Sequence, residues 1–118
     1  MRSKARRTTK RGLAAAALFV FAAGTPALAQ TAVDAKAAQA LSDQYFCSAC
    51  HANDRTMVGP AFAAIAKKYK GDAAGQATLA AKVRNGGQGA WGAIPMPRNP
   101  GVTDDEMKQL LAWILLLD

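Results

Sequence analysis

Apolar residues near the end of the chain recur at helical spacing. Met107, Leu110, Leu111, Ile114 and Leu117 stand three or four positions apart, which predicts an amphipathic helix with one buried stripe. Thr103-Asp104-Asp105-Glu106 precedes the stripe, and Thr with Glu three positions later is a capping box at a helix start. Upstream, Phe62, Ile65, Ala66 and Tyr69 mark a short helix closed by Gly71, and Leu79 and Val83 continue the pattern in another that ends at Asn85-Gly86-Gly87. A weaker pattern of Val33, Ala37, Leu41 and Phe46 predicts a helix over 34–46 that runs directly into Cys47. Neither a strand pattern nor an internal repeat is visible, so the fold class predicted is all-α, with about four helices.

Two stretches lack this periodicity. Residues 52–60 form a connecting loop, and residues 86–101, rich in Gly and Pro, form a second, irregular one. A loop of some 16 residues is longer than compact domains usually tolerate unless it has a task. The short, Ala-rich helices also have little apolar surface to bury. Something besides side chains is expected to fill the core.

Composition first misleads and then helps. The 118 residues allow one domain; half of them are apolar and 19% charged, which excludes a disordered chain. Fifteen cations against eight anions give a net +7, a balance that points to nucleic acid or an anionic membrane if the folded part carries it. It does not. Arg2, Lys4, Arg6, Arg7, Lys10 and Arg11 crowd the start, Gly12 to Gly24 is an uncharged apolar run of 13 residues, and Ala27-Leu28-Ala29 has small residues where a signal peptidase reads. This reads as a cleavable secretory signal over 1–29. The run is short of the roughly 20 residues a spanning helix needs, and six cations beside an Ala-x-Ala site argue against a buried helix. Thr8-Thr9-Lys10 follow Arg6-Arg7 where a twin-arginine signal has an apolar residue, so general secretion is favoured. The working domain, 30–118, keeps nine cations and eight anions. Nucleic acid drops out as a partner, and the periplasm of a bacterium enters as the expected location.

The chemistry lies in Cys47-Ser48-Ala49-Cys50-His51, which uses both cysteines and the only histidine of the chain. Two thiols one helical turn apart can add to the two vinyl groups along one edge of haem, and the next residue then offers an imidazole to the iron. A dithiol redox site would need a thiolate at a helix N-terminus, normally after a strand. Structural zinc needs four N or S ligands where three are available. A disulfide across a two-residue spacer closes too small a loop to stabilise much. For a sixth iron ligand, methionine is the soft candidate left. Met1 belongs to the signal, Met107 to the helix stripe, and Met57 follows His51 too closely to reach the far side of a haem. Met96 remains, strapped as Ile94-Pro95-Met96-Pro97 in the long loop, where two prolines stiffen the chain.

With CSACH, MVGPAF at 57–62, NGGQGAWGAIPMPRNP at 85–100 and TDDEMKQLLAWIL at 103–115 in order, residues 34–117 resemble the small class I c-type cytochromes, most closely the bacterial cytochrome c-551 (cytochrome c8) group. The resemblance implies about four helices wrapped around one covalently attached haem c, with thioethers from Cys47 and Cys50 and axial ligands His51 and Met96. It further implies that the Pro60 carbonyl accepts from the His51 ring, that Trp91 donates to a haem propionate, and that Asn99 donates to the Met96 sulfur. Lys82 stands where close members have an Arg near the propionates, and Ala93 or Arg98 where they have a further Pro. Trp113 belongs, on the same resemblance, to helix packing.

Iron with both axial sites filled by protein leaves outer-sphere exchange of one electron, the work of a carrier rather than an enzyme. The expected protein is a monomeric carrier for redox proteins. The donor would be of the bc1-complex type, and the acceptor a terminal oxidase, nitrite reductase or cytochrome c peroxidase. Lys67, Lys68, Lys70, Lys82, Arg84 and Arg98 are candidates for steering such a partner, or else solvated cations. Two rivals stand beside this reading. One is a haem enzyme or ligand-binding haem protein with an open sixth site, disfavoured by the lack of a second histidine. The other is a cytochrome subunit bound tightly to a larger oxidoreductase.

Overall fold

Asp34 opens the first helix, α1 (Ala35–Gln44), its Oδ1 accepting from the Ala37 amide at 3.0 Å, which satisfies a backbone donor with no partner inside the helix. In the computed structural model, residues 32–118 are described; the predicted signal at 1–29 lies outside them. The helix is shorter than the apolar pattern predicts. The Tyr45 amide closes the last turn on the Leu41 carbonyl at 3.0 Å, and Phe46 then adopts φ 58°, ψ 22°, a left-handed conformation that ends a helix. The two cysteines therefore follow on a separate 3-10 turn, Cys47–Ala49.

Helix α2 (Phe62–Tyr69) ends before Gly71, whose φ is 79°. Asp72 then caps α3 (Ala73–Asn85), accepting from the Ala74 amide at 3.0 Å. The last helix, α4 (Asp104–Ile114), carries the predicted capping box. Thr103 Oγ1 accepts from the Glu106 amide at 3.3 Å, and Glu106 Oε2 accepts from the Thr103 amide at 3.0 Å. The same carboxylate accepts from the Tyr45 hydroxyl at 2.8 Å, tying the end of α1 to the start of α4. Arg84 adds an ion pair from α3 to Asp104.

One expectation is corrected. The stretch predicted to be irregular and free of strands contains a small antiparallel hairpin, β1 (Gly87–Gly89) with β2 (Gly92–Met96), pairing Gly87 with Met96 and Gly89 with Gly92 around an irregularity. Its residues are almost all exposed, so no alternation of apolar and polar positions announces it. Backbone fit makes it instead. Gly86 has φ 70°, and a Cβ there would lie 2.5 Å from the Met96 carbonyl oxygen and 2.8 Å from the Arg98 amide. Only glycine lets the two ends of the hairpin pass so closely.

The helices pack in two apolar groups. Phe62, Ile65, Leu79, Trp113 and Ile114 form one, with the Phe62 and Trp113 rings edge to face at 5.5 Å. Val102, Met107 and Leu110 form the other, beneath Leu41, Tyr45 and Val83. Ala38 and Ser42, one turn apart on α1, are wholly buried, and their small size lets α1 lie close against its neighbours. Trp113 is a packing residue, as the sequence suggests.

Candidate functional site

Between these helices and the hairpin lies an apolar cleft of about 1160 Å³, open to solvent on one side. Cys47, Cys50 and His51 enter it from the 3-10 turn, Ile65, Leu79, Leu110 and Ile114 from the helices, and Trp91 and Met96 from the hairpin. Local backbone bonds fold the loop after His51 back onto the motif: the Gly59 amide donates to the Cys50 carbonyl at 2.8 Å and the Phe62 amide to the Ala52 carbonyl at 2.9 Å. That return brings Gly59, Pro60 and Phe62 against the imidazole.

The His51 ring is held from three sides. Its Nδ1 lies 2.7 Å from the Pro60 carbonyl oxygen, and since a carbonyl only accepts, Nδ1 carries a proton; in the neutral ring Nε2 then holds the lone pair. Phe62 stacks on the ring, with centroids 5.1 Å apart and planes 13° from parallel. A Cβ on Gly59 would lie 2.6 Å from Cε1, so any larger residue would push the ring away. The side chain is buried. Sequence reading singles out Pro60 and not Gly59 or Phe62; the signal for all three is the uninterrupted VGPAF stretch, which carries the chain straight back over the histidine.

The two thiols are free and partly buried. Burial pushes the Cys47 thiol up, with a smaller opposing effect from Ser42. A dithiol redox centre needs the opposite shift, which counts against that reading. Among the described residues no group of three or more His, Cys, Asp or Glu side chains is arranged to hold a metal ion, so a zinc centre finds no support either.

Met96 closes β2 and lines the cleft, while Met57 is exposed on the loop after His51 and does not line it. Trp91 sits in the turn of the hairpin at the mouth of the cleft, and Lys68 of α2 stands over its ring, Nζ 4.8 Å from the centroid. Lys82 also lines the cleft, beside Gly87. Asn99 is fixed by two hydrogen bonds. Its side-chain amide donates to the Tyr45 carbonyl at 3.0 Å and its backbone amide to the Val83 carbonyl at 2.8 Å. These bonds anchor the end of the strap to α1 and α3.

A flat macrocycle with two reactive vinyl groups fits this donor set. The walls are apolar, the two thiols and the imidazole line the same cleft, and two large apolar side chains that also line it, Trp91 and Ile94, are exposed. Comparison with known proteins agrees. The family model described as Cytochrome c matches residues 35–118. Cytochrome c-551 of Pseudomonas aeruginosa is 52% identical over 69 residues, which span 58% of this chain and 65% of that protein. Cytochrome c-551 of Stutzerimonas stutzeri is 47% identical over 92 residues, 78% of this chain and 82% of that one. The crystal structure of Nitrosomonas europaea cytochrome c552 superposes with a TM-score of 0.63 at 41% identity, covering 68% of this chain and 99% of that one. The chain thus belongs to the cytochrome c family, as a class I member close to cytochrome c-551 with the small, mostly helical fold and one covalently attached haem c.

Proposed function

We propose that this cytochrome c is a periplasmic one-electron carrier, with His51 and Met96 as the axial ligands and Cys47 and Cys50 as the thioether attachments. One observation carries the reading: Cys47, Cys50, His51 and Met96, drawn from two separate segments, line a single apolar cleft. Haem c, when bound, supplies one Fe(II)/Fe(III) couple that takes up or releases a single electron.

The chain's own residues set the terms of that exchange. Pro60 fixes the tautomer of His51, leaving Nε2 to bind metal. Pro95 and Pro97, with their fixed φ, stiffen the strap on either side of the Met96 sulfur. Methionine is a soft, weak ligand that favours the reduced state, and the apolar walls penalise the extra positive charge of the oxidised one. Both effects raise the potential. With both axial sites taken up by the protein, small substrates have no route to the metal, so the protein transfers electrons and performs no chemistry on a substrate. Trp91, which lines the cleft, would donate its indole N–H to a haem propionate. Residues 1–29 serve as the export signal, and the donor and acceptor are redox proteins of a respiratory chain, of the bc1-complex type on one side and a terminal oxidase, nitrite reductase or cytochrome c peroxidase on the other.

The test is an optical spectrum of the exported protein. The ferric form is expected to show a weak near-infrared Met-to-iron band that is lost completely in Met96→Ala, with a lower reduction potential. A high-spin wild-type spectrum with ready binding of carbon monoxide or cyanide would overturn the carrier reading. Covalent attachment is checked by retention of haem after acid-acetone extraction.

A further inference from the structure

The hairpin that carries Met96 has almost no buried face, and an isolated two-stranded hairpin is marginal in water. Its position therefore depends on where it is fastened. At the base, Gly86 passes against the Met96 and Arg98 backbone, and the Asn99 amide binds the Val83 carbonyl at 2.8 Å. At the tip, Ala90 and Trp91 form the turn between the strands. Among the described residues one side chain from the helices makes a polar contact there. Lys68 Nζ donates to the Ala90 carbonyl at 3.4 Å and stands 4.8 Å from the centre of the Trp91 ring. It belongs to the last turn of α2, the helix that also supplies Phe62 to the wall behind His51.

We propose that Lys68 is a positioning residue that latches the hairpin tip to α2 and so sets how readily the Met96 strap lifts off the cleft. The latch has two parts on one ammonium group: a charged hydrogen bond to the turn carbonyl and attraction to the negative face of the indole. Nothing else on α2 can replace it. Lys67 points to a different surface, the hollow beside Leu117 and Asp118, and Lys70 pairs with Asp118 at 3.4 Å. Arginine at 68 would keep both interactions, since a guanidinium donates and stacks on aromatic rings. Glutamine would lose the cation and one atom of reach.

The consequence for ligand exchange rests on the reading of Met96 as an axial ligand, so the experiment separates the two. Hydrogen exchange of the 87–96 amides is measured on the holoprotein, for wild type, Lys68→Gln and Lys68→Arg, together with imidazole binding to the ferric form. Lys68→Gln is expected to speed exchange of the hairpin amides about two- to fivefold, the size of an exposed cation–π contact, with amides of α1 and α4 unchanged and Lys68→Arg restoring wild-type rates. Imidazole should bind more tightly to Lys68→Gln by the same factor, at the expense of the Met-to-iron band. Hairpin exchange unchanged in Lys68→Gln, or not restored by Lys68→Arg, would overturn the latch. Faster, Arg-rescued exchange with unchanged imidazole affinity would support the latch and tell instead against Met96 as the displaceable ligand.

Discussion

Phe46 bears two costs at one position. It holds a left-handed backbone that a bulky L residue disfavours, and its side chain is 79% exposed. Replacing it with glycine removes the steric penalty and forfeits little burial, while adding some entropy to the unfolded chain. Phe46→Gly is accordingly expected to stabilise the protein by about 1 kcal/mol, seen as a higher urea midpoint at unchanged slope. A lower midpoint would mean that the ring packs against the bound cofactor. No glycine or proline in the sequence marks this position, and apolar residues continue through Phe46 into Cys47. The haem attachment is legible for the opposite reason: its three residues lie within five positions, and the chemistry requires no folding to bring them together. Lys68 and Trp91 are 23 positions apart, and their meeting depends on how α2 packs beside the hairpin, which no local pattern encodes.

At the scale of elements, what the sequence announces is what local chemistry determines. The capping box of α4 and the glycine beyond α2 are read directly from residue types. The hairpin escapes because its strands are held by glycine geometry and end contacts instead of a buried face. The cap also carries a pH dependence. Hydrogen bonds from the Thr103 hydroxyl and amide and from Tyr45 hold the Glu106 carboxyl below the usual carboxylate range. A lowered folded pKa contributes stability that is fully present above the ordinary Glu value of about 4.3 and is lost as pH falls through the lower folded value. Glu106→Gln keeps the capping geometry and removes the charge. It should melt below wild type at neutral pH, with the gap closing in acid; a gap independent of pH would show that the charge is idle. The partner group moves the other way: the Glu106 carboxylate raises the Tyr45 hydroxyl above its ordinary value, so on the alkaline side the same interaction weakens as the tyrosine ionises.

For the molecule as a whole, the cleft lies in the middle of a small domain whose helices contribute Ile65, Leu79, Leu110 and Ile114 to its walls. Those walls need a filling. A chain this size buries a smaller fraction of its surface than a larger domain does, and a group that binds only the folded state adds its binding energy to stability. A Cys47→Ala, Cys50→Ala double variant is therefore expected to retain no covalent haem and to lose cooperative thermal unfolding, as followed by far-ultraviolet circular dichroism. Native-like helicity with a sharp transition in that variant would show that the side chains suffice. A different consequence follows from the hold on His51. Pro60 accepts from its Nδ1, Phe62 stacks on its face, and Gly59 fits against its edge, so, with His51 as the proposed axial ligand, the imidazole would already be in place before the charge beside it changes. Atoms that do not move when a charge moves add little to an activation barrier. The rigidity of one ring thus lowers the reorganisation that each oxidation or reduction requires, and the pace of transfer passes to the encounter between the protein and its partner.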